Sequence, residues 1–301
     1  MYDAVIEAAR KHGASFAQNA PMSKLTSFHT GGAAALLVQP NSVAAVQDIL
    51  SACREEHAKF CVIGNGSNLL VSDAGFSGVV LRIGPAMAAI EDLGNGRIRC
   101  AAGASLTALC NFACRLGLSG LEFAFGIPGT AGGAAYMNAG AYGGEMKDVL
   151  TACTHIASDG SLGSFTGKAL ALSYRRSVYT DKDLIITGLE LQLQPGDPNV
   201  IRAAMDENMR KRTEKQPLEF PSAGSTFKRP QGYFAGALIE QSGLKGVSVG
   251  GAQVSEKHAG FVINTGTATT SDILSLIELI RQTVWEKFGV RLEPEVKYIG
   301  D

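Results

Sequence analysis

Two stretches built from glycine and other small residues limit what this chain can become. The first, Gly64-Asn65-Gly66-Ser67-Asn68, follows directly on the apolar run Lys59–Ile63. The second reads Gly126-Ile-Pro-Gly-Thr-Ala-Gly-Gly-Ala-Ala-Tyr-Met-Asn-Ala-Gly-Ala-Tyr-Gly-Gly144. Glycine supplies 36 of the 301 residues, against an average share of about 7%. The first stretch invites a dinucleotide-fingerprint reading, which fails on two counts. The third glycine of G-x-G-x-x-G is replaced by Leu69, and Leu69-Leu70-Val71 reads as strand, whereas that motif needs a helix N-terminus for the pyrophosphate. The Gly-Lys-Ser/Thr ending of a P-loop is absent as well. What remains is either a tight surface turn or an anion nest. In a nest, Gly and Asn adopt left-handed angles, main-chain N–H groups converge, and Ser67 and Asn68 add side-chain donors. The second stretch contains apolar and aromatic residues, so it is not a flexible linker. It reads as a packed Gly-Ala hinge or as backbone able to approach a large flat ligand. Two such loops in one chain favour a dinucleotide-like cofactor held by the main chain.

Composition narrows the classes further. Hydrophobic residues make up 46% and charged residues 18%, which excludes a disordered chain. The 27 basic and 28 acidic residues leave a net charge of -1, so no nucleic-acid partner is expected. No apolar run approaches the ~18 residues of a membrane span, and Ala33–Val38 is among the longest. The acidic start Met1–Glu7 lacks an apolar signal core, so neither a targeting segment nor membrane insertion is expected. The six cysteines form no C-x-x-C pair. Cys110 and Cys114, one helical turn apart, read as small core residues rather than a metal pair, so no metal is expected. The thiols point to a reducing, cytoplasmic setting.

The pattern along the chain predicts helices over Ala4–Lys11, Ser42–His57 (with Ser42 as N-cap), Ser105–Gly117, Asn199–Lys215, Phe234–Ser242 and Ser271–Phe288. The last has one apolar stripe, Ile273, Leu276, Ile277, Ile280, Val284 and Phe288, with Gly289 as C-cap. Strands are predicted at Lys59–Ile63, Gly78–Ile83, Arg97–Ala102, Asp183–Leu193 and Val296–Ile299, with a hairpin joining Thr151–Ala157 to Gly163–Phe165 through Asp159-Gly160. Pro195-Gly-Asp-Pro198 marks a boundary. The order of elements suggests α+β lobes rather than regular βαβ alternation.

The motifs together resemble those of the UDP-N-acetylenolpyruvoylglucosamine reductase (MurB) family. Gly64-Asn-Gly-Ser-Asn-Leu-Leu-Val-Ser-Asp73 with Gly75-Phe-Ser-Gly78 resembles its pyrophosphate loop. Gly126–Gly133 with Asn138-Ala-Gly-Ala-Tyr-Gly-Gly-Glu145 resembles its flavin loop. Ser173-Tyr-Arg-Arg-Ser177, Lys215-Gln-Pro217, Pro221-Ser-Ala-Gly-Ser-Thr-Phe-Lys228, Val254-Ser-Glu-Lys-His-Ala-Gly260 and Leu292-Glu-Pro-Glu-Val296 extend the likeness from about Thr26 onward. The short spacing after Arg175 resembles the subtype without an extra tyrosine loop. The resemblance implies an α+β fold: a two-lobed FAD-binding region of the vanillyl-alcohol-oxidase (PCMH) type plus a C-terminal α+β substrate-binding domain. The expected division is a helical leader at 1–26, lobes at 27–84 and 85–195, and a linker helix with the substrate domain at 196–301. The implied cofactors are non-covalent FAD and NADPH as electron donor. The implied partner is a UDP-sugar whose enolpyruvyl ether is reduced to UDP-N-acetylmuramate, a peptidoglycan precursor.

Residue by residue, the resemblance assigns cofactor binding to Gly64, Asn65, Gly66, Ser67, Asn68, Leu69, Ile127, Pro128, Gly129, Thr130, Gly132, Gly133, Asn138, Gly140 and Ala141. It assigns catalysis to Arg175, Ser225 and Glu295, and substrate binding to Tyr174, Lys228 and Arg229. The chemistry suits the types: a guanidinium grips a carboxylate with two parallel bonds, and Ser225 matches the proton donor. Glu295 corresponds to a second acid that polarises the carboxylate or orients the donor. Arg176 and Glu293 are the neighbours most easily confused with Arg175 and Glu295. Arg229 stands where some members carry Asn. His258 reads either as a structural histidine or as a substrate ligand, and His29 raises the question of a covalent flavin. Two rival readings are another FAD-dependent oxidase of the same fold and a flavin-free nucleotide-sugar binding protein.

Overall fold

A computed structural model describes residues 2–300 and divides the chain into two compact units. The first comprises the chain up to Ala17, Leu36–Asn65 and Gly78–Lys211. The second comprises Gln18–Ala35, Gly66–Ser77 and the chain from Arg212 onward.

The first unit is organised by a five-stranded antiparallel sheet in the order Leu162–Thr166, Leu150–Ala157, Leu184–Gln192, Arg97–Ala101, Ile90–Gly94. Ile185, Ile186, Leu189 and Leu191 of its central strand are buried in the core. Helix Leu106–Arg115 starts where the Ser105 hydroxyl accepts a hydrogen bond from Ala108 N, and it buries Leu106, Leu109, Cys110, Ala113 and Cys114. These two cysteines are core residues, and burial pushes the Cys110 thiol up to about 12. Helix Val43–Glu55, capped by Ser42, packs on helix Asp3–Lys11. Strand Phe60–Ile63 pairs in parallel with residues 79–82, and its C-terminal end delivers the chain to Gly64.

The second unit is built on helix Thr270–Phe288. Ile273, Leu276, Ile277, Ile280 and Val284 are buried in one core cluster with Phe28, Leu70, Phe227 and Ile239. The predicted stripe stops at Val284. Phe288 lies one turn beyond it and is 37% exposed, and Gly289 then ends the helix at φ 65°. The antiparallel strands Ser248–Val249, Ala252–Val254 and Val262–Asn264 form a small sheet, and Lys297–Ile299 pairs in parallel with Leu69–Val71. Leu69–Val71 and Lys297–Ile299 answer to predicted strands, whereas the two- and three-residue strands of the small sheet carry too little alternation to be read from sequence. Ala33–Gln39, noted in the sequence only as an apolar run, is a strand. The second glycine stretch contains a helix, Ala131–Tyr136.

The long helix has two capping systems. Thr269 and Asp272 form a capping box. Asp73, from the segment that follows Leu69–Val71, accepts hydrogen bonds from Thr270 N at 2.8 Å, Ser271 N at 2.9 Å and Ser271 Oγ at 2.7 Å. Thr270 Oγ1 also donates to Val71 O at 2.6 Å. Burial pushes the Asp73 carboxyl up, but the hydrogen bonds from Ser271 and Thr270 outweigh it and hold the group below its ordinary 3.8. A depressed folded-state value means stability that is present above pH 4 and lost as pH falls through the folded value. Asp73→Ala is therefore expected to cost about 1–2 kcal/mol at pH 7. In urea melts its deficit relative to the parent should shrink at pH 3. A constant deficit at both pH values would show that the carboxylate charge is not what caps the helix.

Candidate active site

Within the first unit, the two glycine stretches meet. Asn65 Nδ2 donates to Pro128 O at 3.1 Å, and a Cβ on Gly64 would stand 2.5 Å from Thr130 Oγ1. The second stretch is pinned to the segment that follows strand Arg97–Ala101 by three main-chain bonds: Leu106 N to Gly129 O, Ala131 N to Ala104 O and Gly132 N to Ala102 O. Gly132 lies so close to Ala102 that a Cβ would come within 2.8 Å of its side chain. Thr130 accepts a hydrogen bond from Gly133 N at 3.3 Å and starts helix Ala131–Tyr136. Gly64 and Asn65 of the first stretch thus lie against Thr130 and Pro128 of the second.

The rest of the first stretch belongs to the second unit, where its carbonyl groups point inward. Gly66 O accepts from Ser27 N at 3.1 Å, and Asn68 O accepts from Lys297 N at 2.9 Å. Asn68 Nδ2 donates to Glu295 O at 3.1 Å. The left-handed conformation falls on Gly66 (φ 64°), and a Cβ there would overlap the Leu25 carbonyl oxygen. The main-chain N–H groups of Asn65, Gly66 and Ser67 make no hydrogen bond to a main-chain acceptor among the described residues. Carbonyls tied back and N–H groups left over are the donor set an anionic diphosphate requires, so these residues fit the pyrophosphate of FAD. The Asn65 and Asn68 side chains, by contrast, are hydrogen-bonded within the protein.

Asn138 and Gly140 lie in the same stretch as a hairpin, Gly140-Ala141 pairing with Gly144-Glu145 through Tyr142 and Gly143, both at positive φ. Asn138 is fully buried and left-handed (φ 44°). Both its amide hydrogens and its oxygen have protein partners: Nδ2 donates to Glu145 Oε2 at 2.6 Å and Ser173 O at 2.9 Å, and Oδ1 accepts from Lys147 N at 2.8 Å. Its main-chain N–H donates to Ala135 O as well.

Arg175 occupies the third position of a tight turn closed by reciprocal bonds between Ser173 and Arg176. Its φ of 55° is left-handed for a side-chain-bearing residue, a state that costs about 1–2 kcal/mol. Strain of this kind collects at functional sites. Its guanidinium lies over the Tyr174 ring at 5.1 Å and donates from Nη2 to Gly140 O at 3.4 Å. Arg176 instead forms an ion pair with Asp181. The geometry thereby separates the two arginines that the sequence left side by side.

In the second unit, Glu295 N donates to Thr226 O at 2.8 Å, Lys228 N donates to Glu293 O at 2.9 Å, and Phe227 bridges Pro294. This ladder sets Ser225, which is exposed, beside the segment that carries Glu295. Buried Thr226 anchors it further, with N donating to Gly260 O and Oγ1 accepting from Val262 N. The two acids differ: Glu295 is 9% exposed, whereas the Glu293 side chain is 70% exposed and pairs with Lys228. Arg229 stacks on exposed Phe234 at 4.5 Å. His258 Nδ1 accepts from Gly260 N at 3.1 Å, and its ring packs edge-on against Phe261, so it shapes the turn in which it sits. His29 is an exposed, left-handed turn residue. No group of three or more His, Cys, Asp or Glu among the described residues is placed to hold a metal, and no described helix is long and apolar enough to cross a membrane. The sequence reading missed the side-chain work of Asn138 and Glu145, for which the only signal was their shared motif.

A two-lobed α+β region with a main-chain cradle for a diphosphate defines a flavin-dependent oxidoreductase, its FAD-binding region of the vanillyl-alcohol-oxidase (PCMH) type. Residues 34–165 match the model of the FAD binding domain. The glucose dehydrogenase Phl p 4.0202 shares the fold at a TM-score of 0.50 with 13% identity, over 65% of this chain and 44% of that one. Residues 216–299 match the C-terminal domain of UDP-N-acetylenolpyruvoylglucosamine reductase. The reductase of that name from Syntrophomonas wolfei is 47% identical, over 94% of each chain. The crystal structure of the enzyme from Thermus caldophilus superposes with a TM-score of 0.80 at 34% identity, over 95% of this chain and 98% of that one. The chain belongs to the UDP-N-acetylenolpyruvoylglucosamine reductase family.

Gly66→Ala tests the cradle. Positive φ together with overlap on the Leu25 carbonyl is expected to cost on the order of 3 kcal/mol or more, read as a lower Tm. Bound FAD should be lost in the same variant. A variant with the parent's Tm and full FAD content would show that the loop tolerates a side chain and does not need this close approach.

Proposed function

We propose that this protein reduces the enolpyruvyl ether of a UDP-N-acetylglucosamine derivative to UDP-N-acetylmuramate, with NADPH as electron donor, FAD as cofactor and the cytoplasm as its setting. The observation that carries this reading is the 47% identity, over 94% of the chain, to a reductase named for that substrate. Six free cysteine thiols, five of them buried, are in keeping with a reducing compartment.

FAD, when bound, takes two electrons from NADPH and makes them available to the substrate. The protein's own residues do the rest. The N–H groups of Asn65, Gly66 and Ser67 would hold the diphosphate, and the backbone of the second stretch, including Ile127, Pro128, Gly140 and Ala141, would contribute to binding the flavin. Once the methylene carbon of the enolpyruvyl group is reduced, negative charge develops toward the neighbouring carboxylate, and a fixed cation there lowers the barrier. Arg175 serves this role; its strained turn supports it over Arg176, which is paired with Asp181. The α-carbon then needs one proton, which the Ser225 hydroxyl supplies. Glu295 rather than Glu293 is the second acid, supported by its burial, whereas the Glu293 side chain is exposed. Tyr174, Lys228 and Arg229 contact the UDP-sugar.

The purified protein should show flavin absorption that NADPH bleaches anaerobically and the enolpyruvyl substrate restores. A colourless protein that cannot be reconstituted, or oxygen uptake with alcohols without NADPH oxidation, would favour one of the rival readings. In stopped flow, Ser225→Ala is expected to bleach with NADPH at close to the parent rate. Its re-oxidation by substrate should slow ~10²–10⁴-fold, the usual worth of a general acid. Equal slowing of both phases would remove Ser225 from the proton step. Arg175→Lys should turn over more slowly, because an ammonium cannot reproduce the planar fork; unchanged turnover would remove Arg175 from the mechanism.

A further inference from the structure

We propose that Asn138 and Glu145 are positioning residues for Arg175: through its side chain, Asn138 fastens the arginine-bearing turn to the Gly140–Glu145 hairpin. This rests on the reading of Arg175 as the carboxylate-binding cation. Asn138 and Glu145 lie in the motif that the sequence assigns to the flavin, and Asn138 is counted there as a cofactor ligand. Its side chain does something else. One amide hydrogen reaches Ser173 O, the same carbonyl that closes the Arg175 turn by accepting from Arg176 N. The other reaches Glu145 Oε2, at the far end of the hairpin. Oδ1 accepts from Lys147 N, and Lys147 Nζ pairs with Glu145, so the carboxylate is held from both sides. The hairpin in turn offers Gly140 O to Arg175 Nη2. The result is a closed circuit, from Arg175 through its turn to Asn138, on to Glu145 and Gly140, and back to the guanidinium.

The circuit has a physical purpose. A left-handed arginine relaxes unless its surroundings over-determine it. An exposed turn with two hydrogen bonds does not do this alone, whereas a turn whose carbonyl is clamped by a fully buried amide does. Asparagine is also one of the few side-chain-bearing residues that tolerates the left-handed angle Asn138 itself adopts. No other residue type supplies that angle together with two donors and an acceptor at this reach.

The test uses the holoenzyme and Asn138→Gly, which keeps the left-handed backbone and removes only the amide. FAD content should equal the parent's. Re-oxidation by substrate should fall on the order of 10²-fold, as a small misplacement of a binding group does, and more than bleaching by NADPH falls. Hydrogen exchange at the Arg176 amide should quicken by about tenfold or more, the loss of one supporting hydrogen bond. Glu145→Ala should repeat the pattern, and Glu145→Gln, which keeps the acceptor, should recover most of it. The double variant N138G/R175K should be no slower than R175K alone. FAD loss in both N138G and E145A, parent-like exchange at Arg176, or additive effects in the double variant would each overturn the proposal. If R175K itself re-oxidises at the parent rate, it is the role of Arg175 that falls, while the Arg176 exchange rate still decides whether Asn138 holds the turn.

Discussion

The candidate cofactor cradle depends on backbone lying closer to its neighbours than a side chain on it would permit. At Gly66 the backbone passes against the Leu25 carbonyl, and at Gly64 and Gly132 it passes against the side chains of Thr130 and Ala102. These contacts orient peptide groups. With the carbonyls of Gly66 and Asn68 tied to Ser27 and Lys297, the N–H groups of the loop are left as donors. A diphosphate is bound well by such a surface because its charge is spread over several oxygens, and converging peptide dipoles match it without a buried counter-charge that would itself need desolvation.

The charged chemistry is carried by a different device. Arg175 and Asn138 both sit at left-handed angles without being glycine, and both are held there by hydrogen bonds to groups in neighbouring segments. Ser225 and Glu295 sit on two irregular segments stitched together through Thr226 and Lys228 rather than on regular strands. For Ser225 and Glu295 the placement comes from main-chain bonds at or beside the candidate residue rather than from a regular element. At Asp73, a carboxylate closes the N-terminus of a helix almost two hundred residues further along the chain.

The long, periodic elements were legible because their pattern repeats over several turns: Ser42 caps its helix as predicted, and Gly289 ends the last helix. The strand after Asn68 was also legible, and its recognition is what excluded the dinucleotide fingerprint. The two- and three-residue strands near Val254, the helix hidden in the second glycine stretch and the exposure of Phe288 were not, since none of them leaves a period to read. Among the candidate residues, the glycine loops were legible from the backbone freedom they require. The arginine, serine and glutamate were legible only through a whole set of motifs, because one Arg-Arg pair or one Glu-Pro-Glu says nothing about which member does the work.

By itself, then, the sequence pointed to two small-residue loops whose backbone could face a flat, anionic cofactor, because residue types adjacent along the chain set local backbone freedom. The reductase motifs were read from a resemblance to the UDP-N-acetylenolpyruvoylglucosamine reductase family, not from composition or periodicity. Only the tertiary structure showed Arg176 paired with Asp181, Glu295 buried and Glu293 exposed, and the Asn138 amide bonded to the turn that carries Arg175. Those distinctions arise from hydrogen bonds and burial among residues far apart in sequence, and no local pattern encodes which partner a side chain will meet.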